Sequence, residues 1–337
     1  MNPKENYLNC LRHKETAYTP IVAADCANVG FGIVSGPWFE KGPEGGGKDA
    51  FGINWVCPPS GGGAAMPDTT IQPPLNIDNF LQWRDIINIP NVDEYDWDII
   101  AAEEWKKCRF DPDNQALNYG CGNGIFERLA SLLGFEDALM ALVEEPEEVQ
   151  AFFEELTEFK IATARKVKDY FHPDSFTYYD DIATEKGPFF SREAYRELIK
   201  PYHKQLYQAV NELDMIPIQH TCGFFQDYVE DLIDTGAEAW TSVQPTNDIV
   251  KILEEYGDRI CIMGGYDSNG KPAMADATLE ERFSELSRCF DMYGNYDSYM
   301  LFVFVLVNSI DPAEKAAAMM PLIQEALRLR EKKRRIK

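Results

Sequence analysis

Met215-Ile-Pro-Ile-Gln-His-Thr-Cys-Gly-Phe-Phe-Gln-Asp-Tyr-Val-Glu-Asp-Leu-Ile-Asp-Thr-Gly-Ala-Glu-Ala-Trp-Thr-Ser-Val243 decides the fold. It opens with a short apolar run at residues 215–220, continues as a helix over 224–235 stopped by Gly236, and starts a second strand at 237–243. The same unit recurs on both sides. Downstream, strands are predicted at 260–264 and 299–307, and helices at 248–256, 278–292 and 311–330, the first two ending near Gly257 and Gly294. Upstream, strands are predicted at 175–179, 115–119 and 20–24. Helices fall at 191–213 and from about Ile125. Another spans 144–171, with Pro146 in its first turn and Val149, Phe152, Phe153, Leu156, Phe159 and Val167 at helical spacing. Seven strands are visible, and an eighth is sought in the N-terminal half. Repeated βα units imply a parallel sheet, either closed or doubly wound. No Gly-rich nucleotide turn follows the first strand, which favours closure. The expected fold is α/β: a (β/α)8 TIM-type barrel, with residues 1–337 forming a single domain.

Residues 25–114 break this rhythm. Gly45-Gly-Gly47, Pro58-Pro59, Gly61-Gly-Gly63 and Pro73-Pro74 alternate with Trp38, Phe39, Phe51, Trp55 and Trp83. Disordered segments are poor in aromatics, so this stretch is expected to be an ordered insertion covering the barrel mouth. Trp38 and Trp55 are candidate contacts for an aromatic or apolar ligand. Simple anchoring of a structural insert explains the same aromatics equally well.

The formal net charge is −24. Nucleic acids and anionic membranes need clustered Lys and Arg, so neither is an expected partner. The basic run Lys332-Lys-Arg-Arg-Ile-Lys337 closes the last helix, where it complements the helix dipole. Eight cysteines show no CxxC pair and no disulfide-framework spacing, and no apolar stretch is long enough to span a bilayer. With a polar N-terminus lacking a signal core, a cytoplasmic location is expected.

In a barrel, chemistry collects at the carboxyl ends of the strands. The residues there are Cys26, Asp180-Asp181, His220-Thr-Cys222, Gln244 and Asp267, with Tyr179 at the end of its strand. His220 and Cys222 stand two apart, so both side chains point the same way, and imidazole with thiolate suits zinc. His13, His172 and His203 lie near a helix end, before a strand and within a helix, where structural roles are expected. Asp180 and Asp181 are candidate catalytic carboxylates. Neighbours on a strand end point oppositely, so only one should face the centre, and Asp181 is preferred as acid/base or metal ligand. Tyr179 and Gln244 are candidate substrate contacts. Cys261 sits early in its strand and should be packed deep in the barrel, while Asp267 suits a turn. No nucleophile elbow, P-loop or HExxH is present.

Asp180-Asp-Ile-Ala-Thr-Glu-Lys-Gly-Pro-Phe-Phe-Ser191, Ile199-Lys-Pro-Tyr202, His220-Thr-Cys-Gly223 and Gly264-Gly-Tyr-Asp267 together resemble segments of the uroporphyrinogen decarboxylase superfamily. The resemblance covers most of residues 110–330 and implies a TIM-type barrel. The H-x-C pair is similar to the zinc motif of the superfamily's corrinoid-dependent methyltransferases. Lys41-Gly-Pro-Glu-Gly-Gly-Gly-Lys-Asp-Ala-Phe-Gly52 resembles a segment of the O-demethylases that act on methoxylated aromatics. Decarboxylases of the family carry an Arg-rich loop after the first strand, whereas Ala23-Ala-Asp-Cys-Ala-Asn28 holds no arginine. Thiol-directed methyltransferases carry a further zinc cysteine near the last strand, and Leu301-Phe-Val-Phe-Val-Leu-Val-Asn308 has none. The resemblance therefore implies a zinc site of His220, Cys222 and a carboxylate such as Asp181, with Cys26 or Glu185 as further candidates. It also implies methyl transfer from a methoxylated aromatic to a corrinoid protein. The alternatives are a decarboxylase acting on an anionic substrate and a degenerate barrel that only binds a corrinoid protein.

Overall fold

The computed structural model describes residues 1–30, 46–58 and 65–333. Within them lie twelve strands: β1 (Cys26–Val29), β2 (Gly46–Lys48), β3 (Asn54–Val56), β4 (Met66–Pro67), β5 (Ala116–Cys121), β6 (Ser175–Tyr179), β7 (Ala183–Thr184), β8 (Gly187–Pro188), β9 (Ile216–His220), β10 (Ala239–Val243), β11 (Cys261–Gly265) and β12 (Tyr299–Phe302). Seven of them pair in parallel in the order β1-β5-β6-β9-β10-β11-β12. Each crossover from β5 onward carries a helix, as parallel pairing requires. The result is a curled, TIM-type α/β sheet.

The two edges of the sheet meet at one short seam. The Leu301 amide donates to the Pro20 carbonyl at 2.9 Å, and Ile21 forms an isolated parallel bridge with Leu301. Two expectations are corrected here. The first strand is Cys26–Val29 rather than 20–24, because Val22–Asp25 coils into a helical turn closed by the Ile21 amide donating to Asp25 Oδ2 at 2.8 Å. No eighth strand joins the sheet among the described residues, where the seam stands in its place. Strand β12 also stops at Phe302 instead of 307, since the chain turns aside and the Leu306 amide donates to the Ala273 carbonyl at 2.7 Å. The helix predicted over 191–213 is broken by a π turn at Tyr195–Ile199 before Lys200–Glu212. Pro201 has no N–H to offer the preceding turn, and shifting the ladder accommodates it.

Alternation along the strands separates two packing shells. Cys26, Ala116, Ile216, Ile218, Ala239, Cys261, Met263 and Met300 cluster with Tyr7, Cys10 and Leu11 of the helix Pro3–Leu11, which plugs the amino-terminal end of the barrel. Cys261 lies deep, as expected, with its sulfur 3.6 Å from that of Cys10. Above this apolar floor comes a polar layer. Asn118 donates to Asn28 Oδ1 at 2.9 Å and accepts from Ser175 and Thr177 at 2.8 and 3.0 Å. The outer faces of the strands pack under the helices in a larger cluster that includes Phe176, Tyr178, Trp240 and Ile262.

The described part of residues 25–114 is ordered around a buried hub. Asp49 accepts from the amides of Phe51 and Ile53, from Trp55 Nε1 at 3.0 Å and from Arg128 Nη1 at 2.7 Å. The Arg128 guanidinium also lies 3.9 Å over the Phe51 ring. This fixes the antiparallel β2-β3-β4 sheet against the helix Ile125–Leu133.

Candidate metal centre and its cavity

Strand β9 ends at His220, and the chain then turns sharply to bring Cys222 back beside it. Three contacts set that turn. The Thr221 hydroxyl donates to the Asp180 carbonyl, the Cys222 amide donates to Asp181 Oδ1 at 2.6 Å, and Gly223 takes φ +86°. A side chain at Gly223 would collide with the Thr184 carbonyl. Cys222 Sγ ends 3.6 Å from His220 Nε2 and 3.2 Å from the Ser242 hydroxyl. Ser242 reaches it from a bulge in β10, with φ +67°.

Asp181, His220 and Cys222 each offer a ligand atom within 4.8 Å of the other two, and all three are half-buried. A tetrahedral zinc with Zn–N near 2.0 Å and Zn–S near 2.3 Å separates its N and S ligands by about 3.5 Å. The observed 3.6 Å between imidazole and sulfur fits that spacing. A zinc ion held by one N, one S and one O donor would keep one position for substrate or water, the usual form of a catalytic zinc site. Burial, reinforced by the Asp181 carboxylate and opposed by the Ser242 hydroxyl, pushes the Cys222 thiol up to about 12. Only a cation alongside would hold it as thiolate at neutral pH.

A sequence model of uroporphyrinogen decarboxylase (URO-D) matches residues 113–326. The chain belongs to the uroporphyrinogen decarboxylase family. Its fold is similar to that of a methyltransferase from Methanosarcina mazei, at TM-score 0.61 and 14% identity, over 98% of this chain and 99% of that one. Xylanase B from Clostridium stercorarium F9 aligns at TM-score 0.38 and 15% identity, over 64% and 74% of the two chains. No curated protein matches.

Around this family barrel the remaining sequence-predicted residues are divided. Tyr179 is brought to the centre, its ring 4.3 Å from that of His220. Burial first, then the nearby Cys26, Cys222 and Asp181, raise its phenol well above the ordinary value, so it keeps its proton. Asp180 is directed elsewhere. Fully buried, it accepts from the Glu127 amide at 3.0 Å and from His203 Nε2 at 2.8 Å, and it caps the helix Ile125–Leu133. Gly124 leaves room for it, since any side chain there would strike the Asp180 carboxyl. Gln244 clamps the loop behind Cys222, accepting from the Gly223 amide and donating to Ser268, both at 2.9 Å. Cys26 packs into the barrel floor, and Glu185 accepts from Asn269 at 3.0 Å, so neither joins the three ligand atoms. Asp267 closes its own turn through the Gly270 amide. Trp38 lies outside the described residues.

Trp55 lines a cavity of about 580 Å³ that extends to Asp181. Phe126, Phe135 and Phe189 form its aromatic side, with Phe135 and Phe189 in edge contact at 4.9 Å. Sequence reasoning missed these rings, together with Asn123, Glu127 and Ser242. The strand-end rule, carried a few residues past Cys121 through Gly122-Asn-Gly124 to the first turn of the next helix, would have reached Asn123 and Glu127. Nothing in the sequence marks the bulge that delivers Ser242.

Proposed function

We propose that the protein is a zinc-dependent methyltransferase that demethylates a methoxylated aromatic compound and passes the methyl group to the cobalt of a corrinoid protein. The observation that carries this reading is a cluster of imidazole, thiol and carboxylate whose carboxylate, Asp181, also lines a cavity walled by aromatic rings. The fold likeness to a methyltransferase agrees with methyl transfer. Asp181, His220 and Cys222 would hold the ion, which supplies Lewis acidity toward an ether oxygen. Phe126, Phe189 and Trp55 would hold the arene by ring contacts, setting its methoxy group toward Asp181. Tyr179, kept protonated, would donate a hydrogen bond to the departing aryl oxygen. That oxygen keeps the electron pair of the broken C–O bond, and the methyl group leaves for an acceptor arriving at the mouth from outside. On this reading residues 1–337 are one barrel domain, with 25–114 as the cover that forms a wall of the cavity.

The test is metal analysis of the purified chain combined with methyl transfer from methoxyarenes to reduced cobalamin, followed by its colour change. One equivalent of zinc is expected, and His220→Ala and Cys222→Ala should each lose zinc and more than about 100-fold of the transfer rate. Unchanged transfer in both variants would sink the assignment.

A further inference from the structure

We infer that Cys10 and Cys261 form a reversible disulfide site, a cross-link that an oxidant closes and that staples the amino-terminal plug to the barrel wall. The site lies at the opposite end of the barrel from the candidate metal centre and does not depend on the proposed methyl transfer. The two residues stand 251 apart in sequence, yet the fold brings their sulfurs to 3.6 Å. Cys10 comes from the last turn of the helix Pro3–Leu11, and Cys261 opens β11. A disulfide needs the sulfurs about 1.5 Å closer still, a shift within reach of side-chain rotation. A lone buried cysteine is explained as a small hydrophobe. Two in contact across most of the chain make a pair that oxidation can join.

Both thiols are fully buried in the apolar floor, among Tyr7, Leu11, Ile216, Ala239 and Met263. Burial first, then the Cys10 thiol beside it, raises Cys261 well above the ordinary value, so the closed barrel keeps it protonated and inert. Reaction waits for the plug to lift. The plug is nine residues long and buries one face, Asn6, Tyr7, Cys10 and Leu11, so its undocking bares both thiols while the strands stay paired. With a peroxide as oxidant, the Cys10 thiolate attacks one oxygen, the O–O bond breaks, and Cys10 becomes a sulfenic acid. The hydroxide released takes up the proton that Cys10 gave away. On redocking, the Cys261 sulfur displaces the sulfenic oxygen, which leaves as water with the Cys261 proton. Two thiols have then lost two electrons, and one peroxide has become two waters. The new bond lies beside the closing edge of the sheet, because the Cys10 thiol also donates to the carbonyl of Tyr299, the first residue of β12, at 3.4 Å.

The test treats the purified full chain with a small excess of hydrogen peroxide, once in buffer and once in sub-denaturing urea, then alkylates and digests it without reductant. The expected product is a pair of peptides joined through Cys10 and Cys261 and separated by dithiothreitol. The oxidised chain should melt about 5 °C above the reduced one, because the cross-link restricts the unfolded chain over a very long loop. Cys10→Ala and Cys261→Ala should each lose the joined peptides and the rise in Tm. The peptide map of the parent needs no variant, so it decides the matter even where a variant fails to fold. Recovery of Cys10 and Cys261 as alkylated thiols or as sulfinic acids under both conditions overturns the inference, as does pairing of either with a different cysteine.

Discussion

Gly223 bears directly on the candidate metal centre, because its positive φ aims Cys222 at His220 and its missing side chain spares the Thr184 carbonyl. Gly223→Ala should cost about 1–3 kcal/mol of stability, read by denaturant unfolding, and should weaken zinc binding by displacing the thiol. Ser242 reaches the same sulfur from a strained position. Ser242→Ala is expected to lower zinc affinity by roughly tenfold in competition with a chelator while barely changing the unfolding midpoint. An equal affinity would show that its hydroxyl does nothing for the sulfur. At this scale His220 and Cys222 were legible from residue type and spacing. The reason was incomplete, since β9 ends at His220 and a hydrogen bond from the Cys222 amide to Asp181 completes the approach. The opposed directions of Asp180 and Asp181 were legible as well. Glu127 and Ser242 were not, because a helix first turn and a bulge take meaning only from what folds against them.

Between elements, buried ion pairs do the fastening. Arg128 and Asp49 are both fully buried, and Arg128→Met should cost about 3–5 kcal/mol by leaving the carboxylate unpaired. The same variant should weaken ligand binding, because Asp49 also holds the Trp55 indole. Asp231 ties the helix Val229–Asp234 to the segment carrying Arg192, Arg196 and Lys200. Burial alone would raise its carboxyl, but hydrogen bonds from Arg196, Lys200 and Arg192 outweigh that and hold it well below the usual range. A depressed folded value means its stabilisation is complete above the unfolded value near 3.9 and fades as pH falls further. Asp231→Asn should therefore lose about 2–3 kcal/mol at pH 7 relative to the parent, and the difference should shrink in unfolding curves taken below pH 4. Most strands and helices from residue 175 onward were legible because each buries a face at its own period. Strand β1 was not, since Asn28 places an amide inside the barrel and breaks the apolar pattern, while the more apolar 20–24 run coils.

For the molecule as a whole, a net charge of −24 sets a measurable cost. Self-repulsion should be screened as salt rises from about 0.01 to 0.2 M, lifting the calorimetric Tm by several degrees, and a Tm that stays flat would contradict this. The sheet, meanwhile, is fastened at a point two residues wide, where Pro20 and Ile21 meet Leu301, and Arg330 grips both carboxylate oxygens of Asp25 nearby. The Asp25–Arg330 half of this clasp joins residues 305 apart in sequence, so the clasp can close only after every strand between them has been laid down. Until then Leu301 has no partner across the seam, and the open edges of the sheet are free to pair with other chains.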